Sequence, residues 1–360
     1  MSQIMTVLGP ISPEELGFTS MHEHVLLDLS VWRRKFAHLI PEDQRALGDQ
    51  PLCLDNIGLV RRNYFLLEDN VHIDDEDVMT AEAADFKASG GSALVDMSVP
   101  GLRINLPGIQ RISKKTGVHI VTTTGRYAEP SWPDRLRLLT LEEHAREMRA
   151  EIETGIEDTG IKAGHIKIGM YDLNEHEERA LRAAGRVASE TGLSVSIHPG
   201  SGIGNDGRRI LRILVEEGTD PKRVVLAHSD SFFSEYELRN LALRPETWGL
   251  RLDYAKELLD RGANLALDCF GHYWDVEFRN GVNQTDWQRL GGLVALIQKG
   301  YSSQIVLGTD VCLKMLVRRY GGEGYCRLTK SVVPTLRTLG VSDFDIRQMT
   351  VVNPARLLSH

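Results

Sequence analysis

The stretch "TSMHEHVLLDL", residues 19–29, sets His22 and His24 either side of a glutamate inside an apolar run. In a β-strand, side chains two residues apart share a face; on a helix they would point roughly 200° apart. A strand is therefore the conformation in which both imidazoles face the same way. The reading of the fold rests on whether other strands supply partners for them.

Seven more short apolar, β-branched runs follow the first, "GFTSMHEH" (17–24), each closed by polar or glycine-rich residues. They are "SALVDMSV" (92–99), "HIVTTTG" (119–125), "GHIKIGM" (164–170), "SVSIHPG" (194–200), "RVVLAHSD" (223–230), "NLALDCFG" (264–271) and "QIVLGTD" (304–310). Between them lie stretches of helical periodicity such as "NEHEERALRAAGRVASETG" (174–192) and "GRRILRILVEEG" (207–218), with apolar residues three and four apart and a closing glycine. Eight strands alternating with helices predict an α/β fold, a (β/α)8 TIM barrel; a doubly wound open sheet is the rival. Residues 1–360 read as one domain. The interval from 29 to 75 is too long for a loop and carries aromatics, arginines and acids at helix-like spacing. It reads as a partly helical insertion after the first strand, a lid or a subunit contact.

With 42% hydrophobic and 26% charged residues in 360, the composition is that of an ordinary globular protein. A net charge of −8 argues against nucleic acid or an anionic membrane as partner and leaves a small-molecule substrate. Cys53, Cys269, Cys312 and Cys326 are widely spaced, which reads as free thiols in a reducing compartment. The N-terminal residues lack the pattern of a signal peptide, and no run approaches 18 apolar residues, so the expected location is the cytoplasm.

Active sites of barrels lie at the C-terminal ends of the strands. There the first strand presents His22 and His24, the fourth Lys167, the fifth His198, the sixth His228 and the eighth Asp310. A lone strand-end histidine is more often a satisfied core residue; four at one rim, with an aspartate, form a ligand set for zinc and similar divalent ions. Lys167 alternates with Ile166 and Ile168 and so points to the other face. A buried ammonium beside two cations would lose its proton, and the neutral amine can take up carbon dioxide as a carbamate with two oxygens to bridge them.

This order of HxH, lysine, histidine, histidine and aspartate resembles the phosphotriesterase family of the amidohydrolase superfamily. "VLGPISPEELGFTSMHEH" resembles the family's opening and "VVNPARLLS" its closing helix, so the resemblance spans nearly the whole chain. It implies a metal-dependent hydrolase with two divalent ions, zinc first, with manganese, cobalt and iron acceptable. His22, His24 and Asp310 would hold the more buried ion and His198 and His228 the more exposed one. Carboxylated Lys167 and a hydroxide would bridge them, Asp310 would orient the hydroxide and accept its proton, and the assembly would be a homodimer.

Two departures bear on the substrate. Phosphotriesterases carry H-S-D-D after strand six and L-D-H after strand seven as a proton relay; here Ser231 in "HSDS" and Cys269 in "LDCF" replace the relay residues. The lactonase-like branch carries a tyrosine after strand three, which Tyr127 matches and whose hydroxyl would reach the substrate carbonyl. Lactone or carboxyl-ester hydrolysis is therefore the favoured expectation, with hydrolysis of an N-acyl amino acid amide or a phosphotriester as alternatives. Arg126, Tyr127, Cys269, His272, Tyr273 and Trp274 are candidates for touching substrate, and Lys314, Arg318 and Arg319 for holding an anionic group; each is equally explicable as loop packing. Asp230 and Asp268 are expected to orient ligands. "GIGNDG" (202–207) spells a dinucleotide fingerprint, but the next strand ends in His228 where the ribose-binding acid should stand. A flexible loop is the simpler reading.

Overall fold

The computed structural model describes residues 2–200, 206–235, 237–272 and 283–360. Eight parallel strands lie side by side in chain order: β1 (Thr19–Glu23), β2 (Ala93–Asp96), β3 (His119–Arg126), β4 (His165–Gly169), β5 (Val195–His198), β6 (Val224–Leu226), β7 (Asn264–Leu267) and β8 (Ile305–Leu307). A doubly wound sheet reverses its strand order part-way; this one never does, and so it curls into a (β/α)8 barrel. The ring closes where the two ends of the sheet meet, the Asp310 N–H donating to the His22 carbonyl at 3.0 Å.

Helices α1 (Glu76–Ala88), α2 (Leu106–Thr116) and α3 (Leu141–Glu153) precede β2, β3 and β4, and strand alternation sorts the side chains. Ile166 and Ile168 of β4 face outward into a cluster with Leu181, Ala184 and Val187 of α4 (Glu175–Thr191), while Val95, Val121, Val225, Ala266 and Val306 form a separate buried cluster with Ile4, Leu357 and Leu358. Lys167 and His165 take the face opposite the isoleucines. Helix α4 starts where Asn174 accepts from the Glu177 N–H and stops where Gly192 turns left-handed at φ +74°, as its sequence predicts.

The insertion is ordered. A helix over Ser30–Phe36 stacks Phe36 on Phe65 and is tied down by the Arg33–Glu68 ion pair at 2.7 Å. Trp32 on this helix packs edge-on against Tyr127 at 6.0 Å and beside Tyr171 at 5.5 Å between ring centres. The segment thus walls the C-terminal end of the barrel next to the loops that follow β3 and β4. Lys314 reaches back to it, donating to Asp69 at 2.5 Å, and Asn70 accepts from the Met315 N–H at 2.9 Å.

One glycine is demanded by the packing of β3 on β4. Gly125 sits at φ +130°, and a Cβ there would collide with the Lys167 carbonyl oxygen. Gly125→Ala is expected to destabilise the fold by about 1–3 kcal/mol from the backbone strain alone, with the collision adding to it. Urea unfolding reads this directly; an unchanged midpoint would show that the strand can shift to accommodate the methyl group.

Candidate metal centre

Strand β1 does not run regularly to its end. Its pairing with β2 slips between Ser20 and Glu23, a bulge of the kind that re-aims side chains beside active sites. His22 is the strand's penultimate residue and His24 lies just beyond it. Their rings stand 5.7 Å apart, and both Nε2 atoms turn to one oxygen, Oδ1 of Asp310, at 3.6 and 3.3 Å.

His228 and Asp310 come from loops, since β6 stops at Leu226 and β8 at Leu307. Both residues hold left-handed backbone, φ +54° and +45°, two of four non-glycines to do so among the described residues. Strain of this kind persists where surrounding contacts over-determine it. At Asp310 those contacts come from Glu23, the residue between the two histidines. Its buried carboxylate accepts from the Thr309 N–H (2.9 Å), the Thr309 hydroxyl (2.6 Å), the Val311 N–H (3.1 Å) and Ser20. Burial raises the Glu23 carboxyl to about 8 despite these donors.

Asp268, at the end of β7, grips two histidines at once. Its Oδ2 lies 2.6 Å from Nδ1 of His22 and its Oδ1 2.9 Å from Nδ1 of His228, with the His228 N–H donating to the same Oδ1 at 2.8 Å. Nδ1 of His24 meets the Ser98 hydroxyl at 2.8 Å, which donates to Asp96. With Nδ1 engaged in all three rings, Nε2 is the nitrogen left for a cation, the arrangement that fixes tautomer and aim in metal sites. His198 joins through His228, ring centres 4.7 Å apart, and Tyr127 lies 5.1 Å from His198.

Lys167 is buried beneath this group, its Nζ 3.4 Å from Nε2 of His22. Burial lowers the ammonium to about 8 and the His22 imidazole to about 4. Burial also opposes ionisation of Asp268 and Asp310, but the imidazoles around them hold both carboxyls well below their ordinary value. The donor atoms of His22, His24 and Asp310 lie within 4.8 Å of one another, as do those of His22, His228 and Asp268. An amine, imidazoles and ionised carboxylates converging on one buried point suit a divalent cation.

A model of the phosphotriesterase family matches residues 2–358. The chain belongs to the phosphotriesterase family. It is therefore a hydrolytic enzyme, as its histidines imply. Over 363 residues it is 30% identical to an N-acetyltaurine hydrolase of Xenopus tropicalis, covering 99% of this chain and 98% of that protein. A phosphotriesterase-related protein of Drosophila grimshawi is 32% identical over 369 residues, covering 100% and 99%. Among solved structures, a resiniferatoxin-binding protein from Rhodobacter sphaeroides superposes with a TM-score of 0.87 at 31% identity, covering 99% of this chain and 94% of that one.

Within this family frame, the structure brings His22, His24, Lys167, His198, His228, Asp310 and Tyr127 together and leaves others out. Arg126 is not at the mouth: its guanidinium is buried against α3 (Leu141–Glu153), pairing with Glu147 at 2.6 Å and meeting His144 at 3.2 Å. As the last residue of β3 it points outward, opposite in sense to its neighbour Tyr127. Lys314 and Arg318 are likewise committed, to Asp69 and Asp85, and Arg319 is exposed. Cys269 lies at the site, Sγ 3.3 Å from Nδ1 of His228, and His272 sets its Nε2 3.0 Å from the Asp310 carbonyl. Tyr273 and Trp274, and most of the "GIGNDG" loop, lie outside the described residues. No helix among the described residues is long and apolar enough to cross a membrane.

Sequence reasoning placed Asp268 near the ligands but missed Glu23, Ser98 and Trp32. For Glu23 a signal existed: an acid alternating with strand histidines inside an apolar run must be partnered if buried.

The double grip of Asp268 makes a prediction. Asp268→Asn removes the charge and one of the two acceptor oxygens, so only one of the two rings can still be held in its tautomer; metal affinity is expected to fall about 10–100-fold. Metal content after dialysis against graded chelator measures it. Retention equal to wild type would reduce Asp268 to a packing role.

Proposed function

We propose that this enzyme uses two divalent metal ions, zinc first, to hydrolyse a carboxylic acid derivative, with an N-acyl amide of a small amino acid or aminosulfonic acid as its substrate. His22, His24 and Asp310 would hold one ion, His198 and His228 the other, and Lys167, as its carbamate, would bridge them. When bound, such ions supply a nucleophilic water at neutral pH and polarise the carbonyl under attack.

The chain's own residues do the rest. Asp310 accepts the proton of the attacking water and delivers it to the leaving nitrogen as the C–N bond breaks, so that amide and water give acid and amine. Asp268 keeps His22 and His228 from turning. Tyr127, whose hydroxyl burial and the Asp310 charge hold protonated, donates to the carbonyl oxygen as charge develops there.

The observation that carries the carboxyl-type reading is the replacement of both relay residues of the phosphotriesterases, by Ser231 and by Cys269, together with Tyr127 beside His198. Full-length likeness to proteins named N-acetyltaurine hydrolases supports an amide ahead of the lactone that sequence alone favours. Lactone hydrolysis remains the second reading, supported by Tyr127 and by 25% identity to a structure described as built on a weak promiscuous lactonase template.

The test is turnover by enzyme produced with zinc or manganese and bicarbonate, across N-acyl amino acids and aminosulfonates, lactones, aryl esters and a phosphotriester. A kcat/KM near or above about 10⁴ M⁻¹s⁻¹ on an amide supports the proposal. The same value on a lactone alone favours the second reading, and on the phosphotriester alone it defeats both.

A further inference from the structure

The wall that the insertion builds over the site ends in a cation. Trp32 is flanked by Tyr127, next to His198, and by Tyr171, two residues beyond the end of β4. One helical turn after Trp32, and on the same side of the helix, Lys35 lays its Nζ over the Tyr171 ring at 4.2 Å from its centre. Four other cations near this wall are paired with carboxylates, Arg33 with Glu68, Lys314 with Asp69, Arg318 with Asp85 and Arg126 with Glu147, and exposed Arg34 donates to the Ser30 hydroxyl within its own helix. Among the described residues no carboxylate lies within 4 Å of the half-buried Lys35 ammonium, and the contact it makes there is to the face of an aromatic ring.

We infer that Lys35 is the specificity-determining cation of this site, binding the sulfonate or carboxylate end of the substrate while its acyl carbonyl lies toward His198 and His228. This rests on the amide reading above and adds the anionic end to it. An ammonium poised on a ring face gives up little to meet an anion, because the quadrupole attraction it would lose is weaker than the charge-assisted hydrogen bond it gains. The aromatic wall lined by Trp32 and Tyr171 excludes water from that bond and makes it stronger than one at an open surface.

The experiment uses metal-loaded enzyme and three probes of one shape: 2-acetamidoethanesulfonate, N-acetyl-β-alanine, and the neutral 2-acetamidoethyl methyl sulfone. Lys35→Gln is expected to raise KM for the sulfonate about tenfold, with kcat moving less than twofold and KM for the neutral sulfone unmoved; Lys35→Arg restores most of the loss. The two anions tell sulfonate from carboxylate preference by which KM rises more. An equal rise for the neutral sulfone, or no rise for either anion, overturns the inference while leaving the amide reading intact. If wild-type enzyme cleaves none of the three, the amide reading falls, and calorimetric binding of 2-acetamidoethanesulfonate decides Lys35 by itself. Binding weakened about tenfold by Lys35→Gln upholds it, and unchanged or undetectable binding overturns it.

Discussion

Asp310→Asn is expected to lower kcat/KM by about 10²–10⁴ with the fold intact. Asparagine is among the few residues that accept the left-handed backbone Asp310 adopts at φ +45°. The Glu23 contacts to Thr309 and Val311 that hold this loop involve neither oxygen of the Asp310 side chain. What the substitution removes is the charge that sits 3.3 and 3.6 Å from Nε2 of His24 and His22, and with it the proposed acceptor for the water's proton. Alanine would confuse the result, since it strains the backbone as well. Circular dichroism and a thermal melt alongside the kinetics separate the two effects. A variant within tenfold of wild type would mean that the proton leaves by another route, and Asp310 would be a ligand only.

The second large effect is at Lys167. Lys167→Ala should cost on the order of 10²–10³ in kcat and reduce the bound metal from about two ions per chain towards one. The side chain is fully enclosed, and its nearest polar partner is the Nε2 of His22 at 3.4 Å, which is no acceptor for an ammonium once a cation holds it. Neither the lysine nor its burial serves packing alone, because Ile166 and Ile168 already make the contacts to α4. Lys167→Met keeps the volume and tests the charge. Metal content by elemental analysis and kcat should fall together in both variants; two ions retained with activity near wild type would exclude a bridging role.

Most of the architecture is legible in the sequence, for a physical reason. Each barrel strand is buried on both faces, so it appears as a short unbroken β-branched run, and each run ends where the chain meets the polar rim. The candidate ligand positions follow from the same rule. What the periodicity hides is where the ladder stops. "RVVLAHSD" and "QIVLGTD" read as strands through their histidine and final aspartate, yet pairing ends two residues before His228 and three before Asp310. A left-handed residue looks no different in sequence from an extended one unless it is glycine.

Side-chain direction is the second blind spot. Arg126 and Tyr127 are neighbours, and loop position alone gives both an equal claim on the substrate. Only the end of the β3 ladder at Arg126 decides that the arginine faces α3 and pairs with Glu147. The insertion resists reading for a different reason: its aromatics stack on residues far along the chain, Trp32 on Tyr127 and Tyr171, and no local period encodes such partners.

The closing contact between the two ends of the sheet has a bearing on biosynthesis. Glu23 and Val311 are 288 residues apart, and the His22 carbonyl waits for the Asp310 N–H over the same span. His22 and His24 leave the ribosome early, but they cannot meet their shared carboxylate until almost the entire polypeptide has been made. The cluster that joins the two ends of the sheet is thus completed only once β8 and the loop that carries Asp310 have been made.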